Sequence, residues 1–192
     1  MDAIDAILSR RSVSKVEERF VDRATIERII EAATRAPNHF LTQPWRFIVL
    51  TGDALDELGE AMAERVRIPH ADDPDLSHRL DVERSRPRRA PVIVTVVYRP
   101  STNPRATEVE DRYAVGAAME NALLAAHSLG LGAYLRTGPA ALDPVVHRFL
   151  ELVEGEEIAG FIYVGYPAPD EQAHLSERHP VAEVTTWRGW NT

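Results

Sequence analysis

Three short clusters carry the side chains best suited to chemistry. The first is Arg10-Arg11-Ser12, followed by Ser14 and Lys15. Arginine forks bind phosphate through two donors at once, and a serine hydroxyl adds another. The same residues also suit a basic helix end that complements the helix dipole. The second cluster is RAPNHFLTQPW, residues 35–45. Pro37 and Pro44 fix the loop, and Asn38, His39 and Gln43 lie between them. Amides offer donor and acceptor together, which suits the edge of a planar heterocycle. An ordinary polar loop is the alternative, with Trp45 in the core in either case. The third cluster is GLGAYLRTG, residues 130–138. Its glycines let a backbone approach a flat ligand closely, or simply stop a helix before a strand.

Other chemistries lack their residues. The 192-residue chain contains no cysteine. That excludes disulfides, thiolate metal sites and a cysteine nucleophile. Lys15 is the one lysine, so amine chemistry has a single candidate. The seven histidines show no metal-binding spacing; His70 and His78 lie in a polar stretch and read as solvated. No glycine-rich phosphate loop and no serine-nucleophile elbow is present. Glu154, Glu156 and Glu157 read as a surface turn before a strand. The net charge of −8 argues against general nucleic-acid binding, which rests on neutralising phosphates. It leaves room for one phosphate-bearing ligand in a local basic pocket. No catalytic acid or base and no metal ligand is assigned.

These clusters need elements to hold them. Ile4, Ile7 and Leu8 recur at helical spacing over residues 2–10. Asp22 or Thr25 caps a second helix, which Pro37 stops near Ala36. Residues 37–44 then form a loop, and 45–51 (WRFIVLT) a strand. Residues 53–67 return to helix. The polar, proline-marked stretch 69–91 reads as mobile or lid-like, partly helical. Residues 91–98 (PVIVTVVY) are the clearest buried strand. Residues 109–129 form the longest helix, rich in Ala and Gly, suiting a crowded core or a subunit interface. Gly130 and Gly132 end it. A short strand follows at 133–137, a helix capped by Asp143 at 143–152, and a strand at 157–164. Helices mix with separated strands without strict alternation, so the fold class is α+β. The chain reads as one domain, 1–192. Its polar tail, 167–192, carries Val181, Val184, Trp187 and Trp190 and is expected to pack on a partner subunit. The N-terminus lacks the basic start of a signal peptide. No apolar run approaches the ~18 residues of a membrane span. The expectation is a cytoplasmic protein with neither nucleic acid nor membrane as partner.

The ordered set of motifs resembles the FMN-dependent nitroreductase family, in particular its short NAD(P)H nitroreductases. RRS sits at residues 10–12, and the family's AP-x5-QPW loop at 36–45. A small-residue helix leads into GLGAYLRTG, a strand ends in IYVGYP, and the tail reads ERHPVAEVTTW. Two positions depart from the family pattern: Ser14, where many members carry Arg, and Leu41, where many carry Asn. The resemblance implies a mostly antiparallel sheet flanked by helices, and a homodimer with FMN between the subunits. Arg10, Arg11 and Ser12 would hold its phosphate or ribityl chain, with Lys15 close by. Arg35 and His39 would form a second wall, with Asn38 and Gln43 near the polar edge of the ring. Leu135, Arg136 and Thr137 would form a third, and Arg178 would reach in from the tail. NAD(P)H would donate hydride, and a nitroaromatic, quinone or activated alkene would accept electrons in a ping-pong cycle. FMN storage, sensing or delivery with little turnover is the alternative.

Overall fold

Val92–Tyr98 (β2) is buried at every position, because both of its faces are covered. A computed structural model describes residues 2–67, 72–171 and 176–190. In it β2 pairs antiparallel with Trp45–Thr51 (β1) on one side and Glu157–Gly165 (β4) on the other. Gly132–Arg136 (β3) pairs antiparallel with β4, giving the order β1-β2-β4-β3. Trp45 stands opposite Tyr98, Val92 opposite Val164, and Gly132 opposite Gly165.

Alternation along the strands sorts side chains onto two cores. Val92, Val94, Val96, Ile162, Val164, Ala133 and Leu135 face one side. There they meet Arg23–Ala33 (α2) and Glu108–Ser128 (α5). Ile93, Phe161, Tyr163 and Tyr134 face the other side. Asp53–Arg67 (α3) and Pro144–Phe149 (α6) cover them. The small residues of α5, including Ala114, Ala118, Ala122 and Ala126, are almost wholly buried. They let the helix lie close to the sheet and to α2.

Local chemistry explains the helix starts. Asp22 accepts from the Thr25 amide at the head of α2, and Asp143 from the Val145 amide at the head of α6. Thr107 and Glu110 make a reciprocal capping box on α5. The first helix, Ala3–Ser9 (α1), is capped by Asp2 and rests on α5.

Three expectations change. Within the stretch read as mobile and partly helical, Leu76–Ser85 (α4) is a helix packed on α3. A Cβ on Gly59 would come 2.4 Å from the Arg84 carbonyl oxygen, so the absent side chain sets this approach. His70 lies outside the described residues, while His78 is exposed. Gly130 closes α5 with φ 78°, but Gly132 belongs to β3. A Cβ there would sit 2.5 Å from Val13, so its job is to admit the segment after α1. Glu156 is buried rather than on a surface turn, accepting from Arg46 at 2.6 and 3.1 Å. The helix expected to reach Leu152 ends at Phe149, and Glu151 takes φ 51°.

Candidate functional site

The segment after α1 is laid against the sheet edge by its backbone. The Val13 amide donates to Ala133 at 3.0 Å, and Val16 bridges to Pro167. This fixes Arg10, Arg11 and Ser12 beside α5 and the tail. Arg10 Nε donates to Glu120 at 3.0 Å. Arg11 donates to Glu171 at 3.4 Å, and the same carboxylate oxygen accepts from the Ser14 amide. Ile7, Leu8, Arg10, Arg11, Ser12, Glu120, Ser176 and Arg178 line one cleft of about 390 Å³. Arg178 reaches it from the far end of the sequence, donating to the backbone carbonyls of Ser176 and Glu177. Three guanidinium groups against the carboxylates of Glu120 and Glu171 leave positive charge in excess. With a serine hydroxyl among them, this donor set fits a phosphate. Lys15 turns elsewhere: it is exposed and ion-paired with Asp170.

The second cluster is built against the start of α5. Asn38 Nδ2 donates to Ala36 O at 3.1 Å, and its Oδ1 accepts the Gln43 amide at 2.9 Å. His39 Nδ1 lies 2.9 Å from Glu110, and its ring stacks on Phe40 at 3.9 Å. Arg105 covers Phe40, 4.4 Å from its centroid. The Glu110 carboxyl is held below its ordinary pKa by the Thr107 hydroxyl first and His39 second. Phe40, Leu41 and Gln43 have φ of 55°, 52° and 45°. Such left-handed geometry costs of order 1–3 kcal/mol per non-glycine residue. Leu41, at the position where the family often has Asn, is 79% exposed. Arg35 points outward at the end of α2 and pairs with Glu31 at 3.2 Å.

The third cluster splits by strand alternation. Leu135 packs into the core on α5's side of the sheet. Arg136 lies over Tyr134 and Tyr163, with its guanidinium 4.6 and 5.8 Å from their centroids. Thr137 is exposed just past the strand. The cleft at Arg10 is lined by none of residues 35–43 and none of 135–137. One element links the first two clusters: α5 offers Glu110 to His39 and Glu120 to Arg10. Ten helical residues separate those contacts by about 15 Å.

Sequence reasoning missed Glu120, Glu171, Glu110, Asp111 and Thr42. Glu120 left a trace, as the one acidic residue between Ala114 and Ala126. Glu110 left one as well, as the last residue of the T-x-x-E capping box; the links of Arg11, His39 and Thr42 to their carboxylates span more than sixty residues and leave no local pattern.

The described residues contain no group of three or more His, Asp or Glu able to hold a metal, and none of their helices is long and apolar enough to cross a membrane.

A four-stranded antiparallel sheet between two helical layers, with an arginine-lined cleft beside its longest helix, defines the class. The pattern described as Nitroreductase family matches residues 7–166, and the chain belongs to that family of oxidoreductases. It is 30% identical over 185 residues to the YdjA protein of Escherichia coli K12, across 96% of this chain and 99% of that one. The name of that relative assigns it provisionally to the NAD(P)H nitroreductases. A nitroreductase-like family protein from Bacillus cereus superposes with a TM-score of 0.85 at 24% identity, covering 99% of this chain and 97% of its own. A Desulfovibrio desulfuricans protein, provisionally described as a nitroreductase and solved in complex with FMN, superposes with a TM-score of 0.74. It is 29% identical, over 98% of this chain and 97% of its own.

Proposed function

We propose that this protein is an FMN-dependent oxidoreductase that takes hydride from NAD(P)H and passes electrons to a nitroaromatic, quinone or activated alkene. The observation that carries the reading is the cleft in which Arg10, Arg11 and Ser12 meet Arg178. A chain of net charge −8 collects three arginines there, and the relative solved with FMN shares the fold. The cofactor, when bound, supplies two-electron hydride chemistry.

The chain's own residues bind and orient. Arg10, Arg11, Ser12 and Arg178 hold the phosphate. Asn38, His39 and Gln43 present donors and acceptors to the polar edge of the ring, with Arg35 at the rim. The backbone of residues 135–137 forms the remaining wall, since the side chains of Leu135 and Arg136 lie on opposite faces of the sheet. Lys15, exposed and paired with Asp170, stands outside this set. His39 has its Nδ1 tied to Glu110, which fixes the orientation of the ring and suits a positioning role. Reductant and acceptor occupy the same space in turn, so the cycle is ping-pong.

The reading includes a homodimer. Among the described residues the cleft at Arg10 is lined by none of the loop at 37–44, which suits a site whose walls come from two copies. Apolar side chains exposed on α1 and on the tail support this: Leu8 is 73% exposed and Trp190 74%.

The test is an absorption spectrum after FMN soaking and desalting, followed by anaerobic NADPH or NADH. Retained flavin bands that bleach are expected. Bands that persist with both nucleotides would favour a storage or delivery protein, and loss of all flavin on desalting would reject the cofactor assignment.

A further inference from the structure

The loop at 37–44 has a backbone that its own sequence does not favour. Phe40, Leu41 and Gln43 all sit at positive φ, and the loop contains no glycine. Geometry of this kind persists only where surrounding structure imposes it. The Asn38–Gln43 hydrogen bond lies within the loop and moves with it. The restraint must come from a part of the fold that does not move.

We infer that Asp111 is that restraint, a positioning residue that holds the loop through Thr42; its consequence for flavin binding rests on the function proposed above. Thr42 stands between left-handed Leu41 and left-handed Gln43, and its Oγ1 donates to Asp111 Oδ1 at 2.6 Å. The other oxygen, Oδ2, accepts from the Ser101 amide at 3.3 Å. Asp111 is 4% exposed and belongs to the first turn of α5, whose inner face is locked into the core. One carboxylate thus ties two loops to one rigid helix. A hydrogen bond to an ionised acceptor is stronger than a neutral one, and burial spares it from screening. The neighbouring link from His39 to Glu110 is a weaker restraint: those side chains are 55% and 38% exposed, so solvent screens it. Asn38, His39 and Gln43 therefore reach a ligand from positions that Asp111 sets without touching the ligand.

The experiment compares Thr42→Val, Thr42→Ser, Asp111→Asn and the double variant Thr42→Val/Asp111→Asn in the full chain. Three readouts are hydrogen exchange at the Gln43 amide, FMN affinity, and the positions of the visible flavin bands. Loss of one charge-assisted hydrogen bond corresponds to an effect of about tenfold or more. The expected result is that Thr42→Val speeds exchange, raises the FMN Kd by about that factor and shifts the bands. Thr42→Ser restores all three, and the double variant falls short of the sum of the two single effects, because valine removes the donor and Asn the charge of the acceptor in the same link. Wild-type exchange and affinity in Thr42→Val would overturn the inference. So would a serine variant as impaired as valine, or single effects that simply add. Should the wild type take up no FMN, the proposed function falls, and Gln43 exchange alone decides whether Asp111 holds the loop.

Discussion

Arg10 is only one-fifth exposed and is already engaged by Glu120, so a phosphate in the cleft must compete with that carboxylate. The competition is feasible because Glu120 is about half exposed and can turn to water. Replacing Arg10 with Ala should weaken FMN binding by about 1.5–3 kcal/mol, the range for a hydrogen bond to a charged group. Fluorescence titration measures it, and unchanged affinity in a folded Arg10→Ala variant would remove Arg10 from the site. A second single-residue effect concerns pH. Tyr163 is buried under α3 and α6, and burial pushes its phenol above the ordinary value of 10.0, against the pull of Arg136, Arg89 and Arg86. The folded state thus keeps the proton longer than the unfolded one. Its contribution to stability is full below about pH 10 and is lost as pH rises through the folded value. Chemical denaturation between pH 9 and 12 should show that decline, and Tyr163→Phe should flatten it. An equal slope in the phenylalanine variant would assign the alkaline loss to other groups.

Helix α3 tests how far a local preference can be overruled by an element's neighbour. Glycine inside a helix is about 1 kcal/mol worse than alanine, so Gly59→Ala ought to stabilise an isolated α3. In the folded chain the new Cβ would lie 2.4 Å from a backbone oxygen of α4, which cannot swing aside as a side chain could. Overpacking of this kind costs about 1–3 kcal/mol, so the clash should win and the urea midpoint should fall. Gly116 on α5 has nothing within 4 Å of its would-be Cβ; Gly116→Ala should be neutral or raise the midpoint. A rise in both variants would show that α4 gives way easily. The same contrast explains what the sequence made legible. Apolar runs marked β1, β2 and β4, Pro37 marked the end of α2, and Asp143-Pro144 marked the start of α6, because each cue is local. The three chemical clusters were legible through their residue types. The job of Gly132, the burial of Glu156 under Arg46, and the grip of Glu120 on Arg10 depend on partners brought together by folding. Period and propensity carry no record of those partners. The bounds of helix α4, within a stretch read as partly helical, were obscured for a different reason. Its surface is mostly polar, and it owes its place to the closeness that Gly59 permits and to a buried Glu83, paired with Arg65 at 3.2 Å and with Arg86 at 3.2 Å.

At the scale of the whole molecule, the apolar side chains left outside are unevenly placed. Ile4, Ile7 and Leu8 crowd α1 at 64%, 53% and 73% exposure. Val181 and Val184 on the short helix Val181–Val184 (α7), with Trp187 and Trp190 beyond it, make the tail a second exposed apolar segment. The two tryptophan rings lie 5.7 Å apart, tilted by 54°, so they present one joint surface. Single exposed apolar residues are ordinary, whereas grouped ones mark contact surfaces. Tryptophan is also the residue type that most often dominates the energy of an interface. The proposed homodimer gives both groups a use, with the tail of one copy lying on the other. Removing residues 180–192 should then weaken the dimer without unfolding the chain, because neither core cluster includes a residue of that segment. Loss of even one tryptophan hot spot, about 2 kcal/mol, should raise the dimer Kd about thirtyfold or more. Sedimentation across a concentration series reads that shift directly, and circular dichroism confirms that the shortened chain is folded. A truncated protein with unaltered dimer affinity would take the tail out of the interface and leave α1 and the outer face of α5 to form it.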